Sequence, residues 1–370
     1  MNQHHTYTLY RDLKHSPYWY YLAYSPDDIR TCGHSTGCTS KTAARNYCDD
    51  LLKRGLLYNG INLTFEQYAY GWFDDGSAWM QDRLACGTPD HPALSPAYIM
   101  KLQSDLRLYL LPYFAGKKLQ NIKPSDVKHF RTWCIQEKKL AFKTINNTVS
   151  TFRIITDTAL ADNVIMFDPL RGIRPLVDVS KTRDAFTLKE AQKIFSAEWK
   201  SKETKLVNFT AALTGMRISE ILGIRKENLH KTYIDLSDQF HLGRLSPLKT
   251  KEARKIPIPQ ELYEQLLPLC SKGFAFHEND PQRPYIHLRY VLTDIGMESA
   301  REKRHLCFHS WRHFFNTYLL AENVPPVKVA AVLGHSTGAG SMQERYTNWN
   351  PDMFPEVYAA QVKLIKLLQP

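Results

Sequence analysis

The stretch that decides the fold is TGMRISEIL, residues 214–222, in which a glycine interrupts one helical pattern and an arginine opens the next. Ile218, Ile221 and Leu222 are the apolar residues of the second helix and would pack inward, so Arg217 at its entry can direct its guanidinium out of the fold. Glu220 lies three residues further on, where it can orient that guanidinium. An Arg/Glu pair on a helix is most often a surface ion pair, so this stretch acquires meaning only with others.

Three later segments carry side chains of the same chemical kind. In FHSWRH, residues 308–313, His309 and Arg312 are three residues apart and project from one helix face. In VLGHS, residues 332–336, His335 directly follows a helix end at a glycine. ERYTN, residues 344–348, adds a tyrosine. Each segment alone is a weak signal, because a lone histidine more often has a structural role.

In this order, the segments resemble the tyrosine recombinase family, also called phage integrases. The matching motifs are TGMRISEIL, LKTKEARKIPIP, FHSWRH, LGHS and RYTN. The resemblance implies a nucleophile, two arginines, a hairpin lysine, two histidines and a supporting carboxylate. These correspond to Tyr346, Arg217 and Arg312, Lys249, His309 and His335, and Glu220.

These residue types suit phosphodiester chemistry. Two guanidiniums can clamp the non-bridging oxygens of a phosphate bidentately, in a planar geometry that lysine cannot copy. Tyr346 is a poor nucleophile while protonated, because the free phenol has a pKa near 10. His309 could accept its proton, or the positive field could lower its pKa. By the resemblance, Lys249 protonates the leaving 5′ oxygen and the product is a 3′-phosphotyrosyl enzyme that needs no metal or cofactor.

Several positions have rivals. Tyr318 and Tyr358 are alternative nucleophiles, although both fit helix packing better, and Lys251 and Lys255 are alternatives to Lys249. The connection between the LGHS and RYTN motifs is about two residues longer than is common in the family and contains two glycines. Tyr346 could therefore serve its own active site or that of a neighbouring subunit.

The expected fold class is multidomain and mainly α-helical. Residues 1–60 predict a small three-stranded sheet plus helix, a candidate domain for arm-type DNA sites, and residues 61–94 a connecting segment. Residues 95–175 predict a helical core-binding domain. Residues 183–370 predict a mixed α+β catalytic domain of tyrosine recombinase type, whose C-terminal stretch 353–368 could pack on its own domain or dock on the next protomer.

Composition narrows the class of partner. The 370 residues carry 48 Lys+Arg against 37 Asp+Glu, with net charges of +7 over residues 91–182 and +6 over 183–370. Such an excess favours a polyanion as partner, since neutralised phosphates release counterions. No apolar run is long enough for a membrane span, and the N-terminus lacks the pattern of a secretion signal. Cys32, His34 and Cys38 lack a fourth metal ligand at a usual spacing, so no metal is expected.

The sequence thus predicts a site-specific DNA recombinase, the integrase of a phage or mobile element, acting in the cytoplasm of a bacterial host at the nucleoid. Its expected partners are double-stranded DNA and three further copies of itself in a tetramer on DNA, for which residues 353–368 are a candidate docking segment. Accessory DNA-bending proteins are candidate partners as well. Two alternatives stay open at this point. One is a DNA-binding protein of the same fold without cleavage, and the other is a topoisomerase-like strand-nicking enzyme.

Overall fold

The structure is a computed structural model that describes residues 6–24, 33–53, 57, 63–88, 93–162, 164–165, 167–178, 183–248, 253–276, 280–334 and 350–369. It divides into two compact units, Met1–Ser180 and Lys181–Pro370. In the parts of the chain that are described, no helix is long and apolar enough to cross a membrane.

The first unit begins with a three-stranded antiparallel sheet covered by one helix. The strands are β1 (Tyr7–Tyr10), β2 (Tyr20–Ala23) and β3 (His34–Ser35), in the order β1-β2-β3. The helix α1 (Lys41–Lys53) follows, and Ser40 caps it by accepting a hydrogen bond from the amide of Ala43 at 3.1 Å. The sheet and helix bury a small core of their own, formed by Tyr21, Ala23, Cys48, Leu51 and Leu57.

A helical bundle forms the rest of the first unit. Its helices are α2 (Phe65–Ala69), α3 (Ala78–Ala85), α4 (Pro96–Asp105), α5 (Leu111–Phe114), α6 (Pro124–Gln136) and α7 (Phe142–Ala161). A π-helical turn, Leu106–Leu110, joins α4 to α5, so the chain continues helically past Pro112. This wider turn accommodates the missing backbone amide of Pro112. A proline within a helical pattern would otherwise predict that the helix ends or kinks there.

The bundle extends further toward the N-terminus than the sequence indicated. Residues 61–94 were expected to be a connecting segment, but they supply α2 and α3, and Phe65, Ala69 and Phe73 are fully buried in the same core as α4 to α7. Thr64 and Gln67 form a capping box that starts α2. The helical core therefore begins near residue 64. The assignment of residues 1–60 and 95–175 as separate DNA-binding domains stays a prediction.

The second unit is a mixed α+β domain with one large hydrophobic core. Its helices are α8 (Leu188–Ser196), α9 (Lys202–Thr214), α10 (Ile218–Leu222), α11 (Gln260–Leu266), α12 (Gln282–Asp294), α13 (Glu298–Arg304), α14 (Ser310–Ala321), α15 (Pro326–Leu333) and α16 (Pro355–Leu368). Helix α9 is buried along most of its length, and α14 packs against it. This places the N-terminal ends of α10 and α14 near each other.

Two small antiparallel sheets complete the second unit. Strand β4 (Tyr233–Leu236) pairs with β7 (Arg254–Pro257), and β5 (Asp238–His241) pairs with β6 (Arg244–Pro247). The sequence did not predict β6, and the tight turn before it has positive φ at both Leu242 and Gly243. With these sheets among many helices, the predicted fold class is confirmed.

The last helix, α16, packs on its own domain. Gln361 is fully buried, and its side-chain amide donates hydrogen bonds to the carbonyls of Leu213 at 2.9 Å and Pro257 at 2.7 Å. Gln192 on α8 donates to the carbonyl of Leu367 at 3.1 Å. Residues 353–368 thus pack within the subunit, and docking of this segment on a neighbouring protomer stays a prediction.

Candidate active site

Arg217 is held at the start of α10 by the carboxylate of Glu220. Its Nη1 donates to Glu220 Oε1 at 2.7 Å, and its backbone amide donates to Oε2 at 2.8 Å. Glu220 is 1% exposed, whereas the Arg217 side chain keeps 24% of its surface open to solvent. The carboxylate of Glu220 therefore fixes the guanidinium on its buried side, and the opposite side is open to solvent, as the motif predicted.

Arg312 is anchored by the carbonyl groups at two helix ends. Its Nη1 donates to the carbonyl of Gly215 at 2.9 Å, and its Nη2 donates to that of Leu333. Gly215 follows α9 with φ +65°, and Gly334 follows α15 with φ +63°. Helix C-termini carry partial negative charge, so they suit a cation. The guanidinium is 4% exposed.

A third arginine, Arg254 on β7, completes the charge pattern. Its Nη2 contacts Glu220 Oε2 at 2.8 Å, so the two oxygens of Glu220 are shared between Arg217 and Arg254. Burial, and then the positive charge of Arg217, lowers the pKa of Arg312 to about 9, and Arg254 acts in the same direction. The group therefore remains protonated at neutral pH but repels its neighbours. Within the described residues, two guanidiniums share this one carboxylate while Arg312 bonds only to neutral carbonyls, an arrangement that favours an incoming anion.

His309 lies at the N-terminal end of α14 beside the same cluster. Burial, together with repulsion by His313, Arg312, Arg183 and Arg217, lowers its pKa to about 4. Its ring stands perpendicular to that of His313, with the centroids 5.2 Å apart. The imidazole is therefore neutral at physiological pH and has a lone pair with which to accept a proton or a hydrogen bond.

The structure brings together four of the seven residues predicted for the site, namely Arg217, Glu220, His309 and Arg312. Lys249, His335 and Tyr346 lie outside the described residues, as does the rival Lys251. Gly334, the residue before His335, contacts the Arg254 guanidinium, so this end of the chain reaches the cluster.

The remaining rival residues occupy other environments. Tyr318 is buried on α14, and burial raises its pKa to about 12, which suits a core residue rather than a nucleophile. Tyr358 lies half-buried on α16. Lys255 places its ammonium 5.4 Å from the centre of the Tyr233 ring. No group of three or more His, Cys, Asp or Glu residues in the described chain could hold a metal ion.

Sequence reasoning did not assign Arg254 to the site. The LKTKEARKIPIP motif contained it, but only as a marker for the spacing of Lys249. Its contact with Glu220 joins residues 34 positions apart, and no local pattern reports such a pairing. Arg183 belongs to no motif of the site, although its charge acts on both His309 and His313.

The fold and the site thus define a helix-rich protein with a positively charged cluster of side chains that suits an anion. Residues 185–352 match the family model described as the phage integrase family. The chain is similar to the tyrosine recombinase XerC of Treponema denticola, with 25% identity over 265 residues that cover 64% of this chain and 83% of the relative.

Two solved structures share the fold. The Tn1549 transposon integrase in complex with transposon right end DNA has a TM-score of 0.55 and 19% identity, and the match covers 74% of this chain and 94% of that one. A lambda integrase tetramer bound to a Holliday junction has a TM-score of 0.56 and 14% identity, with 90% and 97% covered. These comparisons support the tyrosine recombinase, or phage integrase, family for this chain, and the match to the family model spans residues 185–352.

Proposed function

We propose that the chain is a site-specific DNA recombinase, an integrase that cuts and rejoins DNA strands to insert or excise a phage or mobile element. The observation that carries the proposal is the convergence of Arg217 and Arg312 beside a neutral His309, with a surplus of positive charge over Glu220. The match of residues 185–352 to the phage integrase family model supports it, as does the fold shared with integrases whose structures are complexes with DNA.

The proposed reaction is an in-line transfer at phosphorus. The Tyr346 oxygen attacks, the bond from phosphorus to the 5′ oxygen breaks, and a 3′-phosphotyrosyl link forms. Arg217 and Arg312 bind the non-bridging oxygens, on which charge grows in the transition state, and His335 adds a hydrogen bond. The Tyr346 proton passes to His309 or to solvent, and Lys249 protonates the leaving 5′ oxygen.

The phosphotyrosyl link conserves the energy of the broken bond. The 5′ hydroxyl of another strand can therefore attack it and release Tyr346, which completes a strand exchange. Assembly of four copies on paired DNA sites belongs to the same proposal, and the lambda integrase tetramer on a Holliday junction supports it.

A suicide DNA substrate tests the proposal. It carries a nick just past the cleavage point, so the short leaving strand diffuses away and the covalent complex accumulates. We expect the wild-type chain to form a complex that survives denaturing electrophoresis, and Tyr346→Phe to bind the same DNA without forming it. DNA flanking the gene that encodes the chain supplies the candidate site.

The outcomes separate the functional classes. Binding without a covalent complex in the wild-type chain would indicate a DNA-binding protein. A covalent complex with relaxation of supercoils, but no exchange between two sites, would indicate a nicking enzyme. A complex that persists in Tyr346→Phe would show that another residue is the nucleophile.

A further inference from the structure

We propose that Arg254 is a positioning residue, which sets the orientation of Arg217 and of the chain that leads to His335. This inference rests on the proposed recombinase function and deepens it. Arg254 lies outside the set of residues that the motifs assign, and its side chain is only 8% exposed. Its bonds to Glu220 and to the carbonyl of Val332 point to a role that it exerts through these neighbours.

The first step is the shared carboxylate. Glu220 Oε2 accepts from Arg254 Nη2 at 2.8 Å and also from the backbone amide of Arg217 at 2.8 Å. Its other oxygen accepts from Arg217 Nη1 at 2.7 Å. Arg254 thus fixes the carboxylate from one side while Arg217 is held on the other. If Arg254 releases Oε2, Glu220 can rotate and carry the Arg217 guanidinium with it.

The second step is the contact with the end of α15. Arg254 Nε donates to the carbonyl of Val332 at 2.9 Å. A β-carbon on Gly334 would lie 3.0 Å from Nη1 and 3.1 Å from the central guanidinium carbon, so this glycine leaves little space beside the arginine. His335 is the next residue. The same planar group therefore contacts both the support of Arg217 and the backbone that precedes His335.

The third step is the position of Arg254 at the start of β7. This strand pairs with β4 in a fixed register, with Arg254 opposite Leu236, and it follows the predicted Lys249 by five residues. The guanidinium uses the geometry of its fork, with Nη2 on the carboxylate and Nε on a carbonyl. A lysine in its place would keep the charge but could not direct two donors in a fixed plane.

The test is Arg254→Lys in the full-length chain, with Ile256→Val as the matched control. Ile256 is fully buried on the same strand, and loss of one methylene perturbs the core mildly without touching the arginine cluster. Single-turnover cleavage of the suicide substrate is measured at saturating DNA, together with the DNA dissociation constant. We expect cleavage by Arg254→Lys to fall about tenfold or more, as for other residues that orient a reactive group, with DNA affinity close to wild type.

Two further measurements distinguish the proposed positioning role of Arg254 from a purely structural role. In a substrate with sulfur at the bridging 5′ position, the leaving group is a thiolate. It departs without protonation, because thiols are far more acidic than alcohols. This substrate should restore cleavage to Lys249→Ala and should not restore it to Arg254→Lys. Rescue of Arg254→Lys would show that the residue acts on leaving-group protonation, which would overturn the assignment to Arg217.

The second measurement uses the combined variant Glu220→Gln with Arg254→Met. This variant removes both charges of the buried Glu220–Arg254 ion pair, so it remains usable if Arg254→Lys fails to fold. Because the two residues share their effect on the orientation of Arg217, the combined variant should lose less cleavage activity than the product of the two single losses. A rate equal to the product of the two single losses, or a rate for Arg254→Lys equal to that of Ile256→Val, would refute the positioning role while the wild-type chain still cleaves. Absence of a covalent complex from the wild-type chain would instead overturn the recombinase proposal, and this inference with it.

Discussion

At the scale of single residues, the site depends on which acceptors the buried guanidinium of Arg312 binds. Arg312 spends one N–H of each terminal nitrogen on the carbonyls of Gly215 and Leu333, and its other N–H groups remain as donors. Anchoring by neutral carbonyls leaves its positive charge uncancelled, in contrast to Arg217, which is paired with Glu220. Arg312 thus supplies the net charge that an incoming phosphate would neutralise.

We therefore expect Arg312→Lys to abolish cleavage but not binding. The ammonium keeps the charge but cannot hold two carbonyls and a phosphate oxygen in one plane. Loss of one such donor from a transition state lowers rates by roughly 100-fold or more. Single-turnover cleavage of a suicide substrate and a salt titration of DNA binding measure the two effects separately.

Arg301→Lys is the control, because the carboxylate partners of Arg301, Glu298 and Glu302, lie on its own helix α13. That variant should cleave at the wild-type rate. Normal cleavage by Arg312→Lys would remove Arg312 from the phosphate clamp.

At the scale of elements, the local parts of the site could be predicted from sequence and the long-range parts could not. The glycine break at Gly215, the helix after Arg217 and the i, i+3 pair His309 and Arg312 follow from spacing within a few residues. The bond from Arg254 to the carbonyl of Val332 joins positions 78 residues apart, and only folding brings them together.

Two parts of the fold that the sequence analysis missed differ in the local signal that they carry. The segment before residue 95 is acidic and aromatic, yet its capping box at Thr64 and Gln67 was a readable helix start. Strand β6 had no comparable signal. The Leu242-Gly243 turn before it lacks the Asn-Gly or Asp-Gly pair that marks most two-residue hairpins.

Gly215 tests how tightly these elements fit. Its φ of +65° disfavours any side chain, and an added β-carbon would lie 2.5 Å from Leu333 Cδ2 and 2.7 Å from Phe315 Cδ1. We expect Gly215→Ala to lower the free energy of unfolding by about 2–4 kcal/mol, because overpacking adds to backbone strain. It should also slow cleavage, since the Gly215 carbonyl anchors Arg312. Urea unfolding and suicide-substrate cleavage measure the two effects.

Gly296→Ala measures the loss of stability that backbone strain causes without any steric overlap. Gly296 has φ +74° but no heavy atom within 4 Å of the site that a β-carbon would occupy. It should therefore cost only about 1 kcal/mol of stability and leave cleavage unchanged. Equal losses in the two variants would show that the contact of Gly215 with Leu333 and Phe315 is unimportant.

At the scale of the whole molecule, the buried cores divide the chain near residue 60, whereas the basic excess begins near residue 91, after residues 61–90 with a net charge of −4. The sheet and α1 bury their own small cluster, and the helical bundle that starts at Thr64 buries another. The net charge is +2 over residues 1–60, against +7 over residues 91–182 and +6 over 183–370. The strongly basic parts are thus those proposed to hold the cleavage site, and the first 60 residues contribute little to general attraction for DNA.

Deletion of residues 1–60 should therefore spare binding and cleavage of a core site while it reduces integration. The deletion removes the first cluster completely and leaves the Thr64 cap and the bundle core intact, so the remaining chain should keep its fold. If residues 1–60 bind arm-type sites, their loss affects only substrates that carry those sites. Gel-shift binding to core DNA and recombination between paired attachment sites, with and without their flanking DNA, measure this difference.

The pattern across substrates distinguishes arm binding from general damage. On full attachment sites, the deleted chain should recombine less well than the wild-type chain, whereas on core-only sites the two chains should perform alike. A uniform loss on both substrates would indicate that the deletion harms the bundle. Equal integration by the two chains on full sites would show that the sheet and α1 have no role in site pairing, and the small net charge of residues 1–60 would then have the simpler meaning that this domain does not contact DNA.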